Sequence, residues 1–204
     1  TDVLCDPVKR AEASARVRAE LGLPEGRRVV LYAPTFRGDT VAQARYEDDL
    51  DLEVLRKSLG DDTVVLLRLH PFVRDALVIP DGMGDFAVDA SGLPDINELM
   101  LVSDVLVTDY SSSIYEFALL GRPIVLFAPD HDRYVKERGF YFDDYVAGVP
   151  GPVVETTEEL GEVIARGEFD LDRVRAFAAE SFDVADGTAT RRFVDEVVLP
   201  RVTP

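Results

Sequence analysis

Cysteine is nearly missing from this chain: Cys5 stands alone, so no disulfide framework forms within it, in agreement with a reducing cytosol. Histidine is almost as scarce, and His70 and His131 lie far apart, which leaves no zinc-ligand spacing. Tryptophan is absent. Positive charge is short as well, with 22 Lys and Arg against 39 Asp and Glu and a net charge of −17. That balance excludes a general nucleic-acid surface, which needs clustered basic residues. It also means that a phosphate ligand has to be held by local geometry, against an unfavourable overall field. No apolar run approaches the roughly 20 residues of a membrane span. The opening Thr1-Asp2-Val3-Leu4-Cys5-Asp6-Pro7 does not read as a signal peptide, lacks an initiator Met, and resembles the middle of a longer chain. The expectation is one domain, residues 1–204, cut from a larger protein, with no metal and no cofactor.

What is present is an alternation of short apolar runs with helical patterns. Arg28 to Tyr32, Thr63 to Leu69, Val105 to Val107 and Ile124 to Phe127 read as buried strands, with weaker candidates at Phe86 to Val88 and at Val153-Val154. Between and around them, Val8 to Leu21, Tyr46 to Leu59, Pro94 to Val102, Ile114 to Ala118, Pro129 to Lys136, Thr157 to Ala165, Leu171 to Phe182 and Thr190 to Leu199 read as helices. This order predicts an α/β fold: a Rossmann-like parallel sheet with helices on both faces.

One stretch organises the rest. The strand Val105 to Val107 ends in Thr108-Asp109-Tyr110-Ser111-Ser112-Ser113, and an apolar helix follows at once. A strand feeding a helix through a tight serine turn aims unpaired helical N–H groups at the sheet's C-terminal edge, where anions are favoured. Thr108, Ser111, Ser112 and Ser113 are therefore candidates for holding phosphate. A structural reading stands beside this: Ser113-Ile114-Tyr115-Glu116 matches a capping box, with Glu116 reaching back to a backbone N–H. For Glu116 the two readings, ribose contact and cap, are left open. Asp109 is expected to help shape the turn.

His70 ends another strand, and Pro71 favours extended geometry there, so that the ring projects from the sheet edge. Such an imidazole pairs with a phosphate or donates a proton to a departing phosphate oxygen; the alternative is a histidine satisfied by a nearby carboxylate. Arg37 and Arg138 are candidate phosphate clamps, set against the ordinary fate of a surface arginine. His131 reads as a solvated helix-start residue, and Phe140 to Tyr145 as core packing rather than a base-stacking platform.

Six motifs in order now point to a family. They are Leu31-Tyr32-Ala33-Pro34-Thr35-Phe36-Arg37, Leu69-His70-Pro71, Asp95-Ile96-Asn97-Glu98-Leu99, Ser103 to Glu116, Arg122-Pro123, and Arg138-Gly139-Phe140-Tyr141-Phe142 with Gly151-Pro152. From Val29 to Leu160 the chain resembles the CDP-glycerol glycerophosphotransferases, the teichoic acid polymerases and primases. Phe36 stands where members often carry Trp. The resemblance implies the C-terminal, donor-binding half of a two-domain GT-B fold. It implies that His70 and Ser111 to Ser113 approach the donor's pyrophosphate, as a His-Pro and Ser pairing does for CMP in some CMP-sialic acid transferases. By likeness to other GT-B members, Glu116 would bond the ribose. An acceptor hydroxyl would attack the β-phosphate of CDP-glycerol and CMP would leave, with the acceptor-activating base on the other half of the enzyme. Expected partners are CDP-glycerol or a related nucleotide donor, a lipid-linked polymer acceptor met through the other half, and a membrane surface through parts outside this chain. The expected location is cytoplasmic, peripheral at the inner face of the membrane. Two alternatives stand: a GT-B glycosyltransferase domain using a nucleotide sugar, and a non-catalytic α/β docking module.

Overall fold

The computed structural model describes residues 2–38, 40–47, 49–73, 77–137 and 144–202. In chain order the elements are α1 (Asp2–Cys5), α2 (Pro7–Glu20), β1 (Arg28–Tyr32), α3 (Leu52–Leu59), β2 (Thr63–Leu67), β3 (Ala87–Asp89), α4 (Ile96–Val102), β4 (Val105–Thr108), α5 (Ser113–Ala118), β5 (Ile124–Phe127), α6 (His131–Glu137), α7 (Tyr145–Gly148), β6 (Val153–Val154), α8 (Thr157–Arg166) and α9 (Leu171–Ser181). A last helical run joins α10 (Ala189–Phe193), a π-helical stretch (Val194–Val198) and α11 (Leu199–Val202).

All six strands are parallel, in the order β3-β2-β1-β4-β5-β6. Parallel strands covered on both faces read as continuous apolar runs, and β1, β2, β4 and β5 do so. Because side chains alternate along each strand, they divide into two layers. Val29, Leu31, Val64, Leu66, Leu106, Ile124 and Leu126 meet residues of α2, α4, α5 and α9 on one face. Val30, Tyr32, Val65, Leu67, Val105, Val107, Val125 and Phe127 meet α3 and α8 on the other. The sheet edge is tight at Gly151, where an added Cβ would stand 1.9 Å from the Ile124 carbonyl oxygen.

Most boundaries shift by a residue or two, and two of the differences bear on the site. The helix expected from Tyr46 begins only at Leu52, because the Asp51 carboxylate accepts the N–H groups of Glu53 and Val54 and caps it there. The strand expected to reach Leu69 stops at Leu67, three residues before His70.

Candidate functional site

The strand order dictates where a ligand can enter. From β1 the chain moves to β2 on one side, and it returns past β1 to place β4 on the other. Their C-terminal ends, side by side with connections leaving in opposite directions, form the crevice in which open α/β sheets bind ligands. The two ends are locked together: the Ala33 N–H donates to the Val107 carbonyl at 2.9 Å, and the Thr108 hydroxyl donates to the Ala33 carbonyl at 2.6 Å. Above them lies a cavity of about 490 Å³. Pro34, Thr35 and Phe36 line it from β1, Arg68 to Pro71 from β2, Ile96, Asn97 and Met100 from α4, and Tyr110 to Ser113 with Glu116 from the serine turn and α5.

His70 is half-buried on one wall, with its ring 4.8 Å from that of Phe36 and 4.7 Å from that of Phe72. Its Nδ1 accepts the Phe72 N–H at 3.2 Å, which in the neutral ring leaves the proton on Nε2. Burial, and then the charge of Arg68, hold this imidazole below its ordinary range. The result is a neutral N–H donor on a wall of aromatic rings, with no carboxylate partner among the described residues.

On the facing wall, Ser112 occupies the N-cap position of α5, without a side-chain cap bond. Ser113 is one residue further in. Its N–H donates to the Ser111 hydroxyl at 3.2 Å. The capping box suggested by Ser113 and Glu116 is therefore not formed. The Glu116 carboxylate makes no hydrogen bond among the described residues and lines the cavity instead. The Ser113 hydroxyl oxygen is buried and has no partner among them. A buried hydroxyl of this kind normally finds a partner, so its solitude needs an explanation.

Two of the expected contacts are corrected. Thr108 is fully buried and spends its hydroxyl on the β1 carbonyl, so it ties the strands together and does not face the cavity. Arg37 lies behind the cavity, not in it. Its Nη2 donates to Asp109 at 2.9 Å and to Asp130 at 2.9 Å, its Nε to Asp130 at 2.8 Å, and its Nη1 to the Thr35 carbonyl at 2.7 Å. Its guanidinium also lies over the rings of Tyr110 and Tyr134 at 5.2 and 5.4 Å. Burial pushes the Asp109 carboxyl up, while Arg37 and two donors from Thr35 pull it back. Burial also works against the charge of Asp130, but hydrogen bonds from Arg37 and Arg133 prevail and bring its carboxyl down to about 2. Asp109 thus shapes the turn, as expected. Arg138 and most of the aromatic segment from Phe140 lie outside the described residues.

The sequence reading missed Arg68. It is 5% exposed, its Nη1 donates to the Leu69 carbonyl, and its Nε has no partner among the described residues. The signal was there: a lone cation inside the apolar run Val64 to Leu69.

Among the described residues no cluster of three or more His, Cys, Asp or Glu is placed to hold a metal, and no helix is long and apolar enough to cross a membrane.

Residues 1–199 match the family model for CDP-Glycerol:Poly(glycerophosphate) glycerophosphotransferase. The teichoic acid poly(ribitol-phosphate) polymerase of Bacillus spizizenii is 39% identical over 202 residues, covering 98% of this chain and 32% of that protein. The teichoic acid poly(glycerol phosphate) polymerase of Bacillus subtilis is 45% identical over 157 residues, 75% of this chain and 21% of that protein. Among solved structures, a His-to-Asn variant of the wall teichoic acid polymerase TagF superposes with a TM-score of 0.79 at 34% identity, over 96% of this chain and 49% of that one. The same variant soaked with CDPG for 30 minutes gives 0.73 at 36% identity, over 96% and 47%. The chain thus spans about half of the solved polymerase chains and about a third or less of these two curated relatives.

Proposed function

The chain belongs to the CDP-glycerol:poly(glycerophosphate) glycerophosphotransferase family, and from that premise we propose that its strand-end cavity holds the nucleotide donor, CDP-glycerol or a close relative. The single observation carrying this reading is the pairing across one cavity of the unpartnered Ser113 hydroxyl with the neutral His70 ring. Both are donors without an acceptor among the described residues, and a diphosphate supplies acceptors. Ser111 and Ser112 sit beside them, and the unengaged Glu116 carboxylate is free to accept from ribose hydroxyls. The related TagF variant was soaked with CDPG, which agrees with a donor of this class.

In the transfer, an acceptor hydroxyl oxygen bonds to the β-phosphorus as the bond from that phosphorus to the bridging oxygen breaks. CMP leaves with the electron pair. The acceptor's proton passes to a base outside this cavity, on the part of the enzyme that carries the acceptor. His70 Nε2–H bonds the departing phosphate oxygen and stabilises its growing charge, while the serine turn holds the diphosphate in line. Phosphoryl transfer asks mainly for such positioning and charge stabilisation. The acceptor is a teichoic-acid-like polymer on a lipid anchor, and the whole enzyme works in the cytoplasm against the inner membrane face.

Isothermal titration of the chain with CMP, CDP-glycerol and a UDP-sugar tests the reading. Binding of the two cytidine ligands that falls in His70→Ala and in the Ser112→Ala/Ser113→Ala double variant is expected. Preference for the UDP-sugar would replace the donor assignment, and unchanged affinity in both variants would remove the site.

A further inference from the structure

Arg68 stands apart from the other well-buried or networked arginines. Arg37 bonds Asp109 and Asp130, Arg56 bonds Asp61 and Asp85, and Arg133 bonds Glu47 and Asp130. Arg122, which lacks a carboxylate, instead donates to the carbonyls of Met100, Leu101 and Ser103 at the end of α4. Arg68 has neither arrangement. Among the described residues it donates to one carbonyl, that of Leu69, and the one acid whose field favours its charge is Asp89, which forms no salt bridge with it. In a chain with 39 acidic residues this isolation is a placement, since a buried charge is costly unless it is paired.

The placement is also rigid. The Arg68 N–H donates to the Tyr32 carbonyl at 2.9 Å, and the Leu69 N–H donates to the Ser91 hydroxyl at 3.1 Å. The backbone that carries Arg68 is therefore pinned to β1 on one side and to the segment after β3 on the other. Its side chain borders the cavity that also holds His70 and the unpartnered Ser113 hydroxyl.

We propose that Arg68 is the fixed counter-charge of this cavity, a positioning residue whose buried and unpaired guanidinium is completed by the phosphates of the ligand. The proposal rests on the donor-binding reading above and adds the group that offsets the charge of the diphosphate inside an acidic protein. It also explains how a site with a neutral histidine attracts a dianion: burial first, and then the charge of Arg68, hold the imidazole below its ordinary range, while that permanent charge borders the same cavity.

The test is a ligand series of increasing charge, measured on the chain itself: cytidine, CMP and inorganic pyrophosphate. Arg68→Met is expected to weaken CMP and pyrophosphate by about tenfold or more and to leave cytidine unchanged, while Arg68→Lys keeps most of the affinity. In Arg68→Met the His70 imidazole, one of two in the chain, should titrate at a higher pH by NMR, an effect that a purely structural arginine does not produce. Equal losses for cytidine and CMP, or no loss for either, would overturn the assignment. Should Arg68→Met fail to fold, the Arg68 Nε–H resonance of the unaltered chain serves instead: it shifts on adding pyrophosphate if the proposal holds, and its indifference refutes it. Pyrophosphate binding that depends on Arg68, together with no binding of CMP or CDP-glycerol, would retain the counter-charge and discard the cytidine donor. CMP binding that ignores Arg68 would do the reverse.

Discussion

Arg37 and Asp109 form an ion pair at 2.9 Å, with only 11% and 3% of their side chains exposed, directly behind the turn that faces the cavity. An arginine that reads in sequence as a phosphate clamp is thus the brace of the serine turn. Asp130 and Thr35 complete the brace, and Tyr110 enters it by donating its hydroxyl to Asp130 at 3.0 Å.

Removing one member of that pair should therefore cost stability before it costs binding. Arg37→Ala is expected to lose about 3–5 kcal/mol in urea unfolding, because it strands a buried carboxylate. Arg37→Lys should recover little, since a single ammonium cannot reproduce the fork that reaches Asp109, Asp130 and the Thr35 carbonyl. A variant as stable as the parent would show that the pair contributes nothing.

Acid sensitivity follows from Asp130. Its folded carboxyl titrates at about 2, against roughly 3.9 in an unfolded chain. Between those values the unfolded chain binds more protons, so the stability Asp130 contributes is complete above about pH 4 and lost as pH falls towards 2. Asp130→Asn should be less stable than the parent near neutrality, and the two curves should converge in acid. Parallel curves of stability against pH would contradict this.

Ser113 should separate stability from binding. Its hydroxyl is buried without a partner among the described residues, so Ser113→Ala removes an unmet polar group and leaves unfolding unchanged or slightly more difficult. CMP affinity should nevertheless fall by about tenfold, the cost of one lost bond to a charged group. Reduced stability with intact CMP binding would make Ser113 a structural residue.

Glu116 and Glu159 offer an internal comparison. Thr156 and Glu159 form a complete capping box at the start of α8, so Thr156→Ala should cost about 1 kcal/mol. Glu116→Gln should leave thermal unfolding unmoved, because no cap depends on its carboxylate. What it should lose is discrimination between CMP and its 2′-deoxy counterpart, measured by titration.

Burial, and then the charge of Arg68, hold the His70 imidazole below its ordinary range, whereas a diphosphate beside it favours the charged ring. Donor binding should therefore take up a proton. CDP-glycerol, whose phosphate diesters stay ionised throughout, is expected to bind more tightly as pH falls from about 8 to about 6, and His70→Gln should abolish the slope. A flat profile in the unaltered chain would remove His70 from contact with phosphate.

Much of this was legible in one dimension. The strands Arg28 to Tyr32 and Ile124 to Phe127 were readable because a strand buried on both faces has to be apolar throughout, and that pattern is local. The serine turn and the His-Pro step were readable because the residues that carry them are neighbours in the chain. Partner choice was not readable. Whether Arg37 meets a ligand or Asp109, 72 residues away, and whether Glu116 caps its helix or faces a cavity, depends on which strand ends the sheet order brings together. Sequence by itself determined the alternation of elements and the chemistry available at the sheet edge. Only the tertiary structure decided which donors are spent inside the fold and which are left for a ligand, because a buried polar group takes the partner that packing puts within reach.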